Sequence, residues 1–168
     1  MAGRLVVSVV GGHECGASVY AMAEKTGRII AEEGAVLMCG GLSGVMEAAC
    51  KGAKSVGGLT IGMLPGDDKH DANRYVDIAI TTGMGYSRNT LVAGGPDVVV
   101  ALPGKCGTLS EIGFALGAKK PVYTFGGWKI DGVHELVSPE ELRAILSGHE
   151  HPDRHEHEEN TPHKSMDI

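Results

Sequence analysis

One pattern occurs three times along the chain: a short apolar run, a glycine-rich turn and a segment with helical spacing of apolar residues. We name the turns first (11–16), second (40–44) and third (103–107). A strand, a tight turn and a helix in that order form a βαβ unit, and successive units build a parallel sheet covered by helices on both faces. The pattern therefore predicts an α/β protein with three layers, α/β/α, and a mainly parallel sheet.

The elements follow from continuous apolar runs for buried strands and from helical periodicity. Strands are predicted at 5–10, 35–39, 59–64, 76–81, 98–102 and 121–125. Helices are predicted from 19 to a C-terminal end at Gly34, and at 45–54, 86–93, 108–117 and 139–146. The last helix has the clearest start, because Ser138 is followed by Pro139 and, three residues on, by Glu141.

Length and composition predict one domain with a short tail. Residues 1–147 are expected to form a Rossmann-like domain that binds a nucleotide or phosphate, since 168 residues are enough for one core. Residues 148–168 are rich in His, Asp and Glu and nearly lack apolar side chains, so a disordered tail is predicted there. Its histidines could bind Zn or Ni loosely, but we interpret them as part of a solvated segment and assign no metal site.

Charge and cysteine usage exclude several classes of protein. A net charge of −6 argues against a nucleic-acid binder, although a local site can still hold a small phosphorylated ligand. The four cysteines have no C-x-x-C spacing, which is typical of reduced thiols. No apolar run approaches the roughly 20 residues that cross a bilayer. We therefore expect a cytoplasmic protein with no membrane or nucleic-acid partner.

The third turn has the chemistry of an anion-binding site. The first N–H groups of a helix have no partner within it, and the helix dipole places partial positive charge beside them. Gly104 and Gly107 allow the backbone to approach a ligand closely, and the hydroxyl of Thr108 is predicted to cap the helix. We expect the N–H groups of Gly107, Thr108 and Gly44 to hold a phosphate, with Lys105 or Arg88 offsetting its second charge.

Several nucleotide motifs are absent. The first and second turns lack the spaced G-x-G-x-x-G of dinucleotide-binding folds, and the strand before the second turn ends in Cys39 instead of an acid. Gly104-Lys105 is not part of a phosphate-binding loop of the Walker type, because no glycine stands five residues earlier. Bound NAD or FAD and ATP hydrolysis are therefore not expected.

Two segments together carry a family resemblance: Gly40-Gly41-Leu42-Ser43-Gly44-Val45-Met46, and Pro103-Gly104-Lys105-Cys106-Gly107-Thr108-Leu109-Ser110-Glu111. They resemble the LOG family, long mislabelled "lysine decarboxylase-like". The segment Gly85-Tyr86-Ser87-Arg88-Asn89 is most similar to the small branch that includes the molybdenum-cofactor carrier proteins. The resemblance covers residues 3 to 147 and implies a Rossmann-like fold and a homodimer or tetramer.

The resemblance implies two possible functions. Carrier-like members bind a pterin cofactor that ends in a phosphate. Enzymatic members split a nucleoside 5′-monophosphate into base and ribose 5-phosphate, with an arginine and a glutamate that match Arg88 and Glu111 as catalytic residues. Lysine decarboxylation is rejected, because no lysine has a recognisable pyridoxal-phosphate setting.

Two departures from the family pattern favour binding over catalysis. Lys105 replaces a glycine of the pattern, and Asn89 stands where the enzymes usually have lysine. We therefore expect a carrier or sensor of a phosphorylated, nucleotide-like ligand, either molybdenum cofactor or a nucleoside monophosphate; the alternative is a phosphoribohydrolase. The predicted ligand-binding residues are Gly11, Gly12, Gly40, Gly41, Ser43, Gly44, Pro103, Gly104, Lys105, Gly107 and Thr108.

Simpler interpretations stay open for the same residues. Thr108 and Glu111 could form a capping box that only stabilises the helix start. Arg88 could be a surface ion-pair residue of little energetic consequence. The glycines of the second turn could serve tight packing instead of phosphate contact.

Overall fold

The computed structural model describes residues 3–148. The strands are β1 (Val6–Val10), β2 (Val36–Cys39), β3 (Thr60–Leu64), β4 (Ile78–Thr81), β5 (Val98–Ala101), β6 (Val122–Thr124) and β7 (Val133–Glu135). The α-helices are α1 (Ala17–Glu32), α2 (Val45–Lys54), α3 (Asn89–Gly94), α4 (Cys106–Gly117) and α5 (Pro139–Ser147). Short 3₁₀ helices cover Lys69–Asp71 and Gly85–Arg88. The predicted tail lies outside the described residues, apart from Gly148.

The strands form one parallel sheet in the order β4-β3-β2-β1-β5-β6-β7. The predicted fold class, a Rossmann-like α/β/α arrangement with a parallel sheet, is confirmed. The sequence did not predict β7, the strand at one edge. Chain order reverses between β1 and β5, and in open parallel sheets ligands bind outside the carboxyl ends of the strands at such a point.

Alternate residues of the central strands face opposite layers. Val7 and Val9 belong to a core that also contains residues of α1, α2 and α5. Val10 and Val99 belong to the second core, which packs against α3 and α4. Because both faces are covered, the central strands are mostly apolar, with Ser8 a buried polar exception in β1, and this explains why apolar runs located them in the sequence.

Two glycines bring α1 and α2 into backbone contact. A Cβ atom added at Gly27 would overlap the carbonyl oxygen of Ala49, and one added at Gly52 would overlap the carbonyl oxygen of Glu24. Backbone atoms cannot move aside as a flexible side chain can. The short distance between α1 and α2 therefore requires that these two positions have no side chain.

The helix ends predicted at Gly34 and Ser138 are confirmed. Gly34 follows the C-cap of α1 with a φ of +75°, a left-handed conformation that favours glycine. Ser138 Oγ accepts a hydrogen bond from the Glu141 N–H, and Pro139 is the first residue of α5. Within residues 3–148, no helix is long and apolar enough to cross a membrane.

Candidate functional site

The three glycine turns meet at the carboxyl ends of β1, β2 and β5. The Gly12 N–H donates to the Pro103 carbonyl at 3.2 Å, which joins the first turn to the third. The Val45 N–H donates to the Gly12 carbonyl at 3.0 Å, and Ser43 Oγ donates to the His13 carbonyl at 2.9 Å. The turns therefore form one continuous surface at the point where strand order reverses.

Close packing accounts for several of the predicted glycines. A Cβ atom at Gly11 would lie 2.6 Å from the Val45 side chain, and one at Gly40 would lie 2.6 Å from the Arg88 guanidinium. Gly44 has a φ of +66° and its Cα faces the Gly12 carbonyl. Larger residues at these positions would separate the turns, so the glycines are needed for packing whether or not they also touch a ligand.

The start of α4 differs from the prediction. The helix begins at Cys106, with Lys105 as an N-cap residue that makes no side-chain cap bond. The prediction that Thr108 caps the helix is wrong, and so is the capping box with Glu111, because both residues lie inside the helix. The physical reason is packing: Thr108 is buried, and its Oγ1 lies where a Cβ atom of Gly104 would be.

This start leaves backbone donors available. Within residues 3–148, the N–H groups of Cys106, Gly107 and Thr108 have no protein acceptor. Cys106 is exposed, Gly107 is partly exposed and Thr108 is buried. We call these three N–H groups the candidate anion-binding site. By contrast, the N-terminus of α5 is capped by Ser138.

Arg88 and Glu111 form a buried ion pair next to the second turn. Arg88 Nη1 lies 3.5 Å from Glu111 Oε1, and both residues are 6% exposed. Arg88 Nη2 donates to the Gly40 carbonyl at 3.3 Å, while its Nε is buried and has no partner in the described chain. The interpretation of Arg88 as a surface residue is therefore wrong. The catalytic role that the family resemblance implies for Arg88 and Glu111 stays a prediction.

Burial dominates the protonation of this pair. Loss of solvent raises the pKa of Glu111 from its ordinary value of 4.5 to about 7, against the opposing effect of Arg88. Burial also lowers the pKa of Arg88, while the Glu111 carboxylate acts to raise it. Glu111 therefore exchanges a proton near neutral pH, a property common among acid–base groups in active sites.

A short hydrogen-bond chain connects this pair to the candidate anion-binding site. Arg88 Nη1 donates to Asn89 Oδ1 at 3.0 Å, and Asn89 Nδ2 donates to Ser110 Oγ at 3.2 Å. Ser110 Oγ donates to the Gly107 carbonyl at 2.7 Å. Asn89 thus has a structural task, because it connects Arg88 to Ser110.

Lys105 lies beside the candidate anion-binding site but does not cover it. Its Nζ is 3.7 Å from Glu14 Oε2, and both side chains are mostly exposed. An exposed pair of this kind contributes little to stability, so the lysine can change partner at small cost.

A pair of thiols lies below the second turn and was not predicted from the sequence. Cys39 and Cys50 are fully buried, and their Sγ atoms are 3.5 Å apart. The Gly41 N–H donates to Cys39 Sγ at 3.3 Å. One thiol ends a strand and the other lies in α2, eleven residues later, and no spacing motif marks such a pair. All four cysteines are free.

Glu111 should make stability depend on pH. Its folded pKa lies above its ordinary value, so the folded chain binds the proton more tightly, and stability is lost as pH rises from about 4.5 to 7. At about 1.4 kcal/mol per pKa unit the loss is roughly 3 kcal/mol. Glu111→Gln cannot ionise and should lack this loss, as measured by urea unfolding between pH 5 and pH 8.

The control is Glu135→Gln, which removes an exposed carboxylate from β7. Its free energy of unfolding should follow that of the parent at every pH. Parallel curves for Glu111→Gln and the parent would contradict the elevated pKa.

Comparison with known proteins gives a family and a set of structural relatives. The family model described as the SLOG cluster4 family matches residues 4–164. An uncharacterized protein of Archaeoglobus fulgidus is 42% identical over 136 residues, which are 80% of this chain and 89% of that protein.

Two solved structures extend the comparison. The molybdenum cofactor binding protein of Rippkaea orientalis is 36% identical, with a TM-score of 0.81 over 87% of this chain and 97% of that one. The molybdenum cofactor carrier protein of Chlamydomonas reinhardtii is 34% identical, with a TM-score of 0.79 over 87% of this chain and 98% of that one. The expected similarity to carrier proteins is confirmed; membership of the LOG family itself stays a prediction.

Proposed function

The chain belongs to the SLOG cluster4 family, and from this premise we propose that it binds molybdenum cofactor by its phosphate and carries it to a recipient protein. The observation that carries the proposal is the candidate anion-binding site, three N–H groups without protein acceptors at the point where strand order reverses. The identity of the cargo is supported by the similarity to proteins that carry or bind this cofactor.

The phosphate would lie against the first turn of α4. Charge-assisted hydrogen bonds contribute roughly 1.5–3 kcal/mol each, so three of them give an affinity of about micromolar after ordering costs. Pro103 and Gly104 form the adjacent backbone, and Gly12 closes it from the first turn. Lys105 would leave Glu14 and form an ion pair with the second negative charge of the phosphate.

A retention assay tests the proposal. Molybdenum cofactor released without oxygen from a molybdenum enzyme is mixed with the protein and passed through a gel-filtration column. We expect the cofactor to elute with the protein and then to activate a cofactor-free molybdenum enzyme. An excess of inorganic phosphate should reduce retention. Elution of the cofactor with small molecules would overturn the proposal.

The protonation of Glu111 supports a second candidate, the phosphoribohydrolase. A carboxyl with a pKa of about 7 beside an arginine is able to act as a general acid or base near neutral pH. If this candidate is correct, the same preparation releases free adenine from AMP, and Glu111→Gln abolishes the release. The carrier proposal expects no adenine.

We also propose that the chain forms a homo-oligomer, as the family resemblance implies. The edge strand β4 and the segment after it expose large apolar side chains, among them Ile78, Ile80, Met84 and Tyr86. Parallel sheets are usually covered on both faces, and a second copy would provide such cover.

A further inference from the structure

A cavity opens between the first turn, the second turn with the start of α2, and the loop at residues 71–74, and it includes no residue of α4. Its volume is about 510 Å³, which is within the range of small-molecule sites. It is lined by His13, Leu42, Ser43, Glu47, Asp71, Asn73 and Arg74.

Hydrogen bonds fix the walls of this cavity to one another. Asn73 Nδ2 donates to the Leu42 carbonyl at 2.9 Å, and the Asn73 N–H donates to the Gly41 carbonyl at 2.8 Å. The loop that contains Asp71 is thereby fixed to the second turn. The first turn is held to the second by the bond from Ser43 to His13.

Four ionisable side chains line the cavity without protein partners. In the described part of the chain, His13, Glu47, Asp71 and Arg74 make no side-chain hydrogen bond or ion pair, although the Arg74 guanidinium lies 5.6 Å from the centre of the Tyr75 ring. On the same surface, by comparison, Lys54 Nζ pairs with Asp77 Oδ1 at 2.8 Å. Unpaired groups that converge on one cavity are available to a ligand.

The candidate anion-binding site and this cavity favour ligand groups of different character. The start of α4 attracts an anion, whereas the carboxylates of Glu47 and Asp71 repel one and accept hydrogen bonds from N–H donors. A pterin presents such donors side by side, at ring N3 and at the 2-amino group, next to a carbonyl acceptor at position 4. A carboxylate has two oxygens at matching separation, and an arginine is able to donate to the carbonyl.

We propose that this cavity binds the pterin ring of the cargo and discriminates it by its 2-amino group. Glu47 or Asp71 accepts from N3–H and the amino group, and Arg74 donates to the 4-carbonyl. The first turn separates this cavity from the phosphate, since Gly12 bonds the third turn and His13 lines the cavity. The proposal rests on the proposed function for the identity of the ligand.

Two unphosphorylated probes test the proposal: pterin, and lumazine, which has a carbonyl in place of the 2-amino group. By fluorescence titration the parent protein should bind pterin about ten-fold more tightly than lumazine. Lumazine has a carbonyl acceptor where pterin has its 2-amino donor, and this carbonyl would face the acceptor oxygens of the carboxylates. The double variant Glu47→Gln, Asp71→Asn should reduce this preference to about two-fold or less. The control Asp67→Asn changes a carboxylate in the same loop that does not line the cavity, and should keep the preference.

Each outcome decides the proposal. Equal affinity of the parent for both probes, no binding of either, or an unchanged preference in the double variant would overturn it. The parent comparison needs no variant, so misfolding of the double variant, seen as a lost thermal transition, leaves the test intact. If pterin is preferred but intact cofactor is not retained on the column, the carrier proposal fails and the pterin site stands.

Discussion

Cys106→Pro is expected to weaken cofactor binding by about 10- to 100-fold without unfolding the chain. Proline has no N–H, so the change removes one of the three donors of the candidate anion-binding site, which is worth roughly 1.5–3 kcal/mol. The backbone tolerates proline here because Cys106 is the first residue of α4 and Lys105 before it is extended, with φ −104° and ψ −157°.

The matched control is Cys106→Ala, which removes the thiol but keeps the N–H. It should bind as the parent does, and both variants should melt within a few degrees of it. The dissociation constant is measured from the retention assay at increasing protein concentration. Parent-like binding by Cys106→Pro would show that this amide does not contact the ligand.

Gly52→Ala is expected to give the largest loss of stability, about 3 kcal/mol. The added methyl group would overlap the carbonyl oxygen of Glu24 and force α1 away from α2. Overpacking in a core costs about 1–3 kcal/mol, and here the opposing atom is backbone, which cannot change rotamer. Equilibrium unfolding in urea measures the effect as a lower midpoint.

The control for this prediction is Gly113→Ala in α4, where a Cβ atom would meet nothing within 4 Å. Alanine in an open helical position should raise stability by about 0.5–1 kcal/mol, because glycine has more conformational freedom to lose on folding. If the two variants changed stability in the same direction, the backbone contact between α1 and α2 would not be the cause.

Of the seven strands within residues 3–148, six could be predicted because each is mostly apolar. The run Val98 to Leu102 is buried on both faces, so burial itself produced the signal. β7 could not be found in this way. It is a three-residue edge strand, Val133–Glu135, and carries two exposed polar residues, so neither a continuous run nor an alternation is long enough to detect.

The candidate site was predictable only in part. The glycine turns marked the carboxyl edge of the sheet, but the first residue of α4 depends on how Thr108 packs against Gly104, a tertiary contact with no local signal. The family resemblance singled out Arg88 and Glu111, which are 23 residues apart, but no local pattern predicts that their side chains lie 3.5 Å from each other. The cavity lined by Glu47 and Asp71 is assembled from three separate segments, and its walls depend on the hydrogen bonds of Asn73.

The hydrogen bonds that join the turns have a consequence for how fast the proposed carrier would bind its ligand. Gly12 is hydrogen-bonded to Pro103, and Val45 is hydrogen-bonded to Gly12. The turns are therefore ordered when the chain folds and need no rearrangement at each encounter with a ligand. Association is then governed by diffusion and orientation, and the residence time by the strength of the contacts themselves. Delivery would therefore depend on a recipient that competes for the same phosphate and ring, and not on the opening of a lid.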